Sequence, residues 1–278
     1  MIALGETQNL IIIKKVEFGV YLSPVDDSPE EKVLLPLKQV PDGAQIGDRM
    51  EVFVYRDSRD RLIATTNTPK ITLGKVARLK VVETGKIGAF LDWGLEKDLL
   101  LPFREQTKKV AEGEDCLAAL YIDKSNRLCA TMKIYPYLGM DSPYQKDDRV
   151  TGTVYEISEQ FGAFVAVDDL YSGLIPCKEL YGKIQIGERV AARVTAVKED
   201  GKLDLSIREK AYLQIETDAK RVLEIIDSFD GALPFSDKAS PEVIKRETGM
   251  SKNEFKRAVG HLLKERQIVI GEKSIRLV

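Results

Sequence analysis

The sequence predicts a multidomain, mainly β chain: three tandem five-stranded β-barrels followed by a small α+β domain. Three observations predict it. A unit of roughly 65–70 residues recurs three times. Within each unit apolar residues alternate as in strands, and after Glu209 the apolar period changes from two to three and four.

The repeat is carried by landmarks that stay in register. "VEFGVYL", "GKIGAFL" and "EQFGAFV" each place a glycine before alternating apolar residues, and Gly19, Gly88 and Gly162 lie 69 and 74 residues apart. "LLPLKQV", "LLPFREQ" and "LIPCKEL" follow, with Pro36, Pro102 and Pro176 at 17, 14 and 14 steps from those glycines. The first copy is longer because of the loop "DDSPEEK". From each proline to the next glycine (Gly47, Gly113, Gly187) takes eleven steps in every copy. Met50, Val52 and Val54 then alternate, as do Cys116, Ala118 and Leu120, and Val190, Ala192 and Val194, before a hairpin turn such as "DKSN" or "KEDGK" and a closing strand. Short strands without a strong internal helix, in so small a unit, predict barrels of the OB type over residues 1–69, 70–136 and 145–210. Cys116 occupies the slot of Met50 and Val190 and is expected in the core. Cys177 shares its slot with Leu37 and Phe103 and is expected there too.

In "EQFGAFVAV", Ala163, Val165 and Val167 are expected to face a core, which turns Phe164 and Ala166 toward solvent or a partner. The same alternation points Tyr21 and Phe90 outward. Phe18 and Phe161 precede the glycine, where a bulge disturbs alternation. An outward aromatic gives a nucleobase a flat partner, unless it fills an interface between domains. For Trp93, in the loop after the second such strand, interface packing and base stacking are equally compatible.

The last unit reads as helices. "TDAKRVLEIIDSF" places Val222, Leu223, Ile226 and Phe229 on one face, with Thr217 or Asp218 as cap. Ser240, Pro241 and Gly249 bracket a second helix, and Ser251 to Glu254 form a capping box for a third. The core face of that third helix is Phe255, Ala258, Val259, Leu262 and Leu263; Lys252, Lys256, Arg257, His261 and Lys264 lie on the other. "IVI", a "GEKS" turn and "IRLV" then make a hairpin.

Bulk properties bound the function. With 44% hydrophobic and 31% charged residues the chain is ordinary soluble globular protein. No apolar run is long enough to span a membrane, and the N-terminus shows no secretory signal pattern, so a cytoplasmic protein is expected. Three cysteines and one histidine make no zinc set, and neither metal nor cofactor is expected. No phosphate-binding glycine loop or nucleophilic triad is present, which predicts a non-enzyme. The net charge of −2 hides an asymmetry: the last 41 residues sum to +5 and the first 237 to −7.

The third copy, through "GTV", "FGAFV", "GLIP" followed by "KEL", "IGERV" and "LDLSIRE", closely resembles the S1 RNA-binding domain; the first two resemble it more weakly. In S1 domains two aromatics flank the strand glycine, a histidine follows, and an acid–base pair sits near the last hairpin. The resemblance therefore implies Phe161, Phe164 and Lys202 in the third copy, with Glu199 or Asp200 as the acid. It implies Phe18, Tyr21, Asp57 and Arg61 in the first, and Phe90, Asp123 and Arg127 in the second. Here Ile87 takes the first aromatic slot, and Pro36, Pro102 and Pro176 stand where the histidine would be. The final unit, 211–278, resembles a winged helix whose third helix is in the recognition position, with Lys252, Lys256 and Arg257 as candidate nucleic-acid contacts. The order of units resembles the bacterial conserved virulence factor B family of RNA-binding regulators. That implies single-stranded RNA as partner and post-transcriptional control, with duplex nucleic acid or protein as further partners of the winged helix. The alternatives are a DNA-binding transcriptional regulator led by the winged helix, or a protein-interaction factor on the ribosome or RNA polymerase.

Overall fold

The computed structural model describes residues 1–25, 31–180, 184–207, 211–272 and 274–278, with the side chains of 211–214 outside the description. The extra loop of the first copy at 26–30 and Lys273 of the terminal turn fall outside the described residues. Two compact units divide the chain, Met1–Ile207 and Arg208–Val278.

Among its described residues the first unit contains fifteen strands in three sets of five. The first set is β1 (Thr7–Val16), β2 (Gly19–Ser23), β3 (Val33–Pro36), β4 (Arg49–Arg56) and β5 (Leu62–Thr65). The second is β6 (Val76–Thr84), β7 (Gly88–Asp92), β8 (Leu99–Pro102), β9 (Asp115–Ile122) and β10 (Leu128–Thr131). The third is β11 (Arg149–Ser158), β12 (Gly162–Val167), β13 (Tyr171–Pro176), β14 (Arg189–Val197) and β15 (Leu203–Ser206). The first and third sets close into barrels in the order β1-β2-β3-β5-β4 and β11-β12-β13-β15-β14. The second has the same neighbours, but among the described residues no ladder joins β8 to β10.

The landmarks have physical causes that repeat with them. Each long first strand carries a bulge, after Ile12, Val81 and Val154. The carbonyls of those three residues accept the N–H of Gly47, Gly113 and Gly187 at 2.8, 2.9 and 2.7 Å. The next residue's carboxylate (Asp48, Glu114, Glu188) accepts a backbone N–H three positions earlier, at 2.7, 2.8 and 2.9 Å. The strand glycines are fixed by close approach: a Cβ on Gly19, Gly88 or Gly162 would lie 2.1, 2.2 or 2.0 Å from the carbonyl oxygen of Leu35, Leu101 or Ile175. No side chain fits there.

Each barrel has its own apolar interior, and two seams join them. Phe53 and Tyr55 on β4 pack with Ile71, Trp93 and Leu95 of the second copy in one continuous cluster. Leu117 and Ala119 on β9, with Ile134 and Leu138 after β10, pack with Tyr155 and Ala166 of the third. Arg78 also donates to Thr153 Oγ1 and lies 3.5 Å from the Asp169 carboxylate across that seam. Buried aromatic and aliphatic side chains contribute about 1.5–3 kcal/mol each, so the seams bind the barrels into one unit. Cys116 is core as expected, at 3% exposure, and burial pushes its thiol up to about 11.

The second unit runs α1 (Ala211–Ser228), β16 (Ala232–Leu233), α2 (Pro241–Thr248), α3 (Lys252–Lys264), β17 (Ile268–Ile270) and β18 (Ile275–Leu277), with sheet order β16-β18-β17. Ser240 caps α2 by accepting the Val243 N–H, Pro241 starts the helix, and Gly249 ends it in the left-handed region at φ 69°. Ser251 and Glu254 exchange both bonds of the capping box at 2.8 and 3.3 Å. Three expectations fail here. α1 begins at Ala211 rather than at Thr217 or Asp218, because no glycine or proline between 207 and 217 stops it propagating upstream. Leu263 is 45% exposed, since it falls outside the stripe of Phe255, Ala258, Val259 and Leu262. Phe229, one residue past the end of α1, is 37% exposed.

Candidate nucleic-acid interface

In each barrel the strand glycine faces the proline across the ladder: Gly19 opposite Pro36, Gly88 opposite Pro102, Gly162 opposite Pro176. The crossing turns the preceding side chain outward. Phe18, Ile87 and Phe161 are 58%, 60% and 59% exposed, an agreement that makes this the most constant feature of the three faces. Immediately after each proline the chain makes one 3-10 turn, Leu37–Gln39, Phe103–Glu105 and Cys177–Glu179. This corrects the core reading of that column. Leu37 and Phe103 are 58% and 54% exposed and Cys177 is exposed as well. The alternation of β3, β8 and β13 ends at the proline, and the turn swings the next side chain out of the barrel.

The aromatics two places past each glycine sit deeper than alternation predicts. Tyr21, Phe90 and Phe164 are half-buried. The partner that Phe164 and Ala166 face is the second barrel: Ala166 is fully buried in the second seam, and Phe164 packs against it. Its ring centroid is 6.2 Å from Tyr155 and 6.5 Å from Phe161, so it supports Phe161 from behind. Trp93 is settled as interface packing, 3% exposed, with Phe53 and Tyr55 edge-on at 5.8 and 6.2 Å. A cleft of about 210 Å³ opens beside it, lined by Ile87, Phe90, Arg127 and, from the first copy, Tyr55, Arg56 and Asp60. The Lys32 ammonium lies 5.2 Å from the Tyr21 ring centroid.

The hairpin cations are found in three different settings. Arg61 grips Asp57 through two nitrogens at 2.7 and 3.0 Å. Slight burial works against ionisation of Asp57, but the Arg61 guanidinium and the N–H groups of Arg61 and Arg59 outweigh it and hold the carboxyl below its ordinary range. In the third copy the acid is Asp200, 2.7 Å from Lys202. The hydrogen bond to Asp200, then Tyr135, raises the Lys202 ammonium's pKa, and its Nζ stands 5.7 Å from the Tyr135 ring centroid. The second copy departs from the pattern: Asp123 accepts the turn N–H groups of Ser125 and Arg127, and the Arg127 guanidinium reaches Asp60 of the first copy at 3.1 Å. In the winged helix, Lys256 and Arg257 are exposed on α3 beside exposed Gly260, while Lys252 and His261 are half-buried.

Comparison with known proteins follows this division. The S1 domain family matches residues 4–67 and 73–133, the family "Virulence regulatory factor CvfB, second domain" matches 138–209, and the "CvfB-like winged helix domain" matches 220–277. The S1 family thus matches the first and second copies, and the third, expected to carry the nearest S1 likeness, is matched by the second-domain family instead. Conserved virulence factor B of Staphylococcus saprophyticus is 32% identical over 244 residues, covering 85% of this chain and 82% of that protein. Its namesake from Staphylococcus aureus strain RF122 is 31% identical over 245 residues, with 85% and 81% covered. The uncharacterized protein YitL of Bacillus subtilis is 31% identical over 275 residues, with 95% and 90% covered. A crystallised multidomain protein with nucleic acid binding domains from Streptococcus pneumoniae has the same fold, with a TM-score of 0.50 at 24% identity over 99% of this chain and 98% of that one. Three S1-like barrels and a winged helix, matched in order along almost the whole length, place this chain in the conserved virulence factor B family.

Proposed function

We propose that the protein binds single-stranded RNA through its barrels and controls gene expression after transcription, acting by binding rather than catalysis, in the cytoplasm. The observation that carries the reading is the outward side chain ahead of each strand glycine, equally exposed in three barrels and aromatic in two of them. A base stacked on such a ring gains about 1–3 kcal/mol. The hairpin cations Arg61, Arg127 and Lys202 supply charge for phosphates. A second reading, duplex DNA held by the winged helix, is favoured by exposed Lys256 and Arg257 on α3. Titrating labelled single-stranded RNA, single-stranded DNA and duplex DNA across a salt series separates them. Single-stranded RNA is expected to bind most tightly; tighter duplex binding with unaffected barrel variants would overturn the reading. Removing the basic unit by truncation after Lys210 is expected to weaken binding to long RNA. It should also flatten the salt slope by about 0.7 for each phosphate the winged helix no longer neutralises.

A further inference from the structure

The second barrel lacks an aromatic at the position the other two barrels use, since Ile87 stands where Phe18 and Phe161 stand. The 3-10 turn lies directly beside that position. The backbone N–H of Leu37, Phe103 and Cys177 donates to the carbonyl of Phe18, Ile87 and Phe161 respectively, at 3.0, 3.3 and 3.2 Å. The two residues of each pair are therefore backbone neighbours, and all six side chains are exposed. Each pair contains one phenylalanine and one non-aromatic residue: Phe18 with Leu37, Phe103 with Ile87, Phe161 with Cys177. Only in the second barrel is the order reversed. The residue after the turn's apolar side chain is basic in all three copies, Lys38, Arg104 and Lys178. Lys38 pairs with Glu96, and Arg104, 69% exposed on its side chain, lies 3.6 Å from the Glu105 carboxylate, a pair a phosphate would have to displace. An exposed ring with a cation one residue away suits an unpaired base and its phosphate better than it suits a protein core.

We propose that Phe103, with Arg104, is the base-stacking residue of the second barrel, replacing from the neighbouring turn the aromatic that Ile87 does not supply. The proposal rests on the single-stranded RNA reading above. The ring's face takes an unpaired nucleobase and the Arg104 guanidinium takes an adjacent phosphate. The 3-10 turns of the outer barrels then lie at the edge of the same surface, carrying the cation but no ring.

The test uses the full chain and a labelled oligouridylate of about 30 nucleotides, long enough to reach more than one barrel. Phe103→Ala is expected to weaken binding about 5- to 100-fold, Phe103→Tyr to retain it, and Phe103→Leu to lose it. Ile46→Ala, at an exposed apolar residue outside these pairs, should bind within about twofold of the native chain, because no ring is lost. Thermal melting of each variant, with a side chain already half in solvent, should match the native chain. Native-like binding by Phe103→Ala or Phe103→Leu, alongside weakened binding by Phe161→Ala, overturns the proposal while leaving the RNA reading intact. If Phe18→Ala, Phe103→Ala and Phe161→Ala all bind as the native chain does, the RNA reading falls and the proposal with it.

Discussion

The middle barrel differs from its neighbours in three linked ways. The first and third close through a parallel pairing, Leu34 opposite Ile63 and Gly173 opposite Leu203, which the second does not form among the described residues. The second instead receives neighbours on two sides, Phe53 and Tyr55 against Trp93 on one, Tyr155 and Ala166 against Leu117 and Ala119 on the other. Its hairpin cation, Arg127, is drawn to Asp60 of the first copy. Among the described residues each barrel keeps four antiparallel ladders; the outer two add a parallel one, and the middle one adds packing from both neighbours. A repeat can therefore keep its backbone plan while gaining packing from outside where one of its ladders is missing.

The largest effect that would break this contrast is at Trp93. Trp93→Ala removes the centre of the aromatic seam and is expected to cost about 3–5 kcal/mol in urea denaturation followed by circular dichroism. A loss below about 1 kcal/mol would mean the middle barrel stands alone. Gly88→Ala comes next, with an expected cost of about 3 kcal/mol from the clash with Leu101. Trp93 is the chain's one tryptophan, so its fluorescence can show whether the seam opens in this variant. If the middle barrel draws its stability from its neighbours, Gly88→Ala should open the seam at lower urea, without separate melting of the outer barrels.

A smaller effect separates two aromatics of one face. Phe164→Ala is expected to cost about 2 kcal/mol of stability as well as RNA affinity, because the ring is half-buried against the second barrel. Phe161→Ala, at an exposed position, should cost about 1–3 kcal/mol of RNA binding and leave melting unchanged. Equal melting of the two variants would show that Phe164 does not support the seam.

The smallest effect is chemical. Cys116 and Cys129 are buried, and burial pushes both thiols from 9.0 to about 11, whereas Cys177 is exposed. At pH 8 a thiol reagent should label one cysteine of the folded chain quickly and all three after denaturation. Because the folded thiols hold their protons longer than unfolded ones, their contribution to stability is intact below about pH 9 and is lost as pH rises through about 11. Rapid native labelling of Cys116 would place the middle barrel's interior in contact with solvent.

What could be read from the sequence divides along the same line. Constraints local to the backbone were legible: the strand glycines, the prolines facing them, the bulge-supporting glycines, and the caps Ser240, Gly249 and Ser251. Each is imposed by geometry a few residues wide. Contacts between copies were not. Alternation correctly turned Phe164 and Ala166 away from the barrel, but nothing in a period of two distinguishes solvent from a neighbouring barrel. The apolar column Leu37, Phe103 and Cys177 reads like a strand continuing past its proline, which puts Cys177 in the core although it is exposed. The basic residue following each member of that column was the available sign of exposure. The start of α1 at Ala211 is hidden for a similar reason: the apolar stripe becomes strong only after Thr217 and Asp218, which resemble caps.

The two seams also bear on how the chain is made. Tandem copies of one backbone invite a strand of one copy to pair in its neighbour while synthesis is still under way. The first seam is aromatic, built on Phe53, Tyr55 and Trp93, and the second is mainly small and aliphatic, built on Ala119, Ile134, Leu138 and Ala166 beside Tyr155. A strand that strayed one copy along would carry the wrong outer surface for the seam it met, leaving large rings against small residues or voids where rings belong. The unlike seams thus add a packing penalty to a mispaired strand that the shared backbone plan alone would not impose.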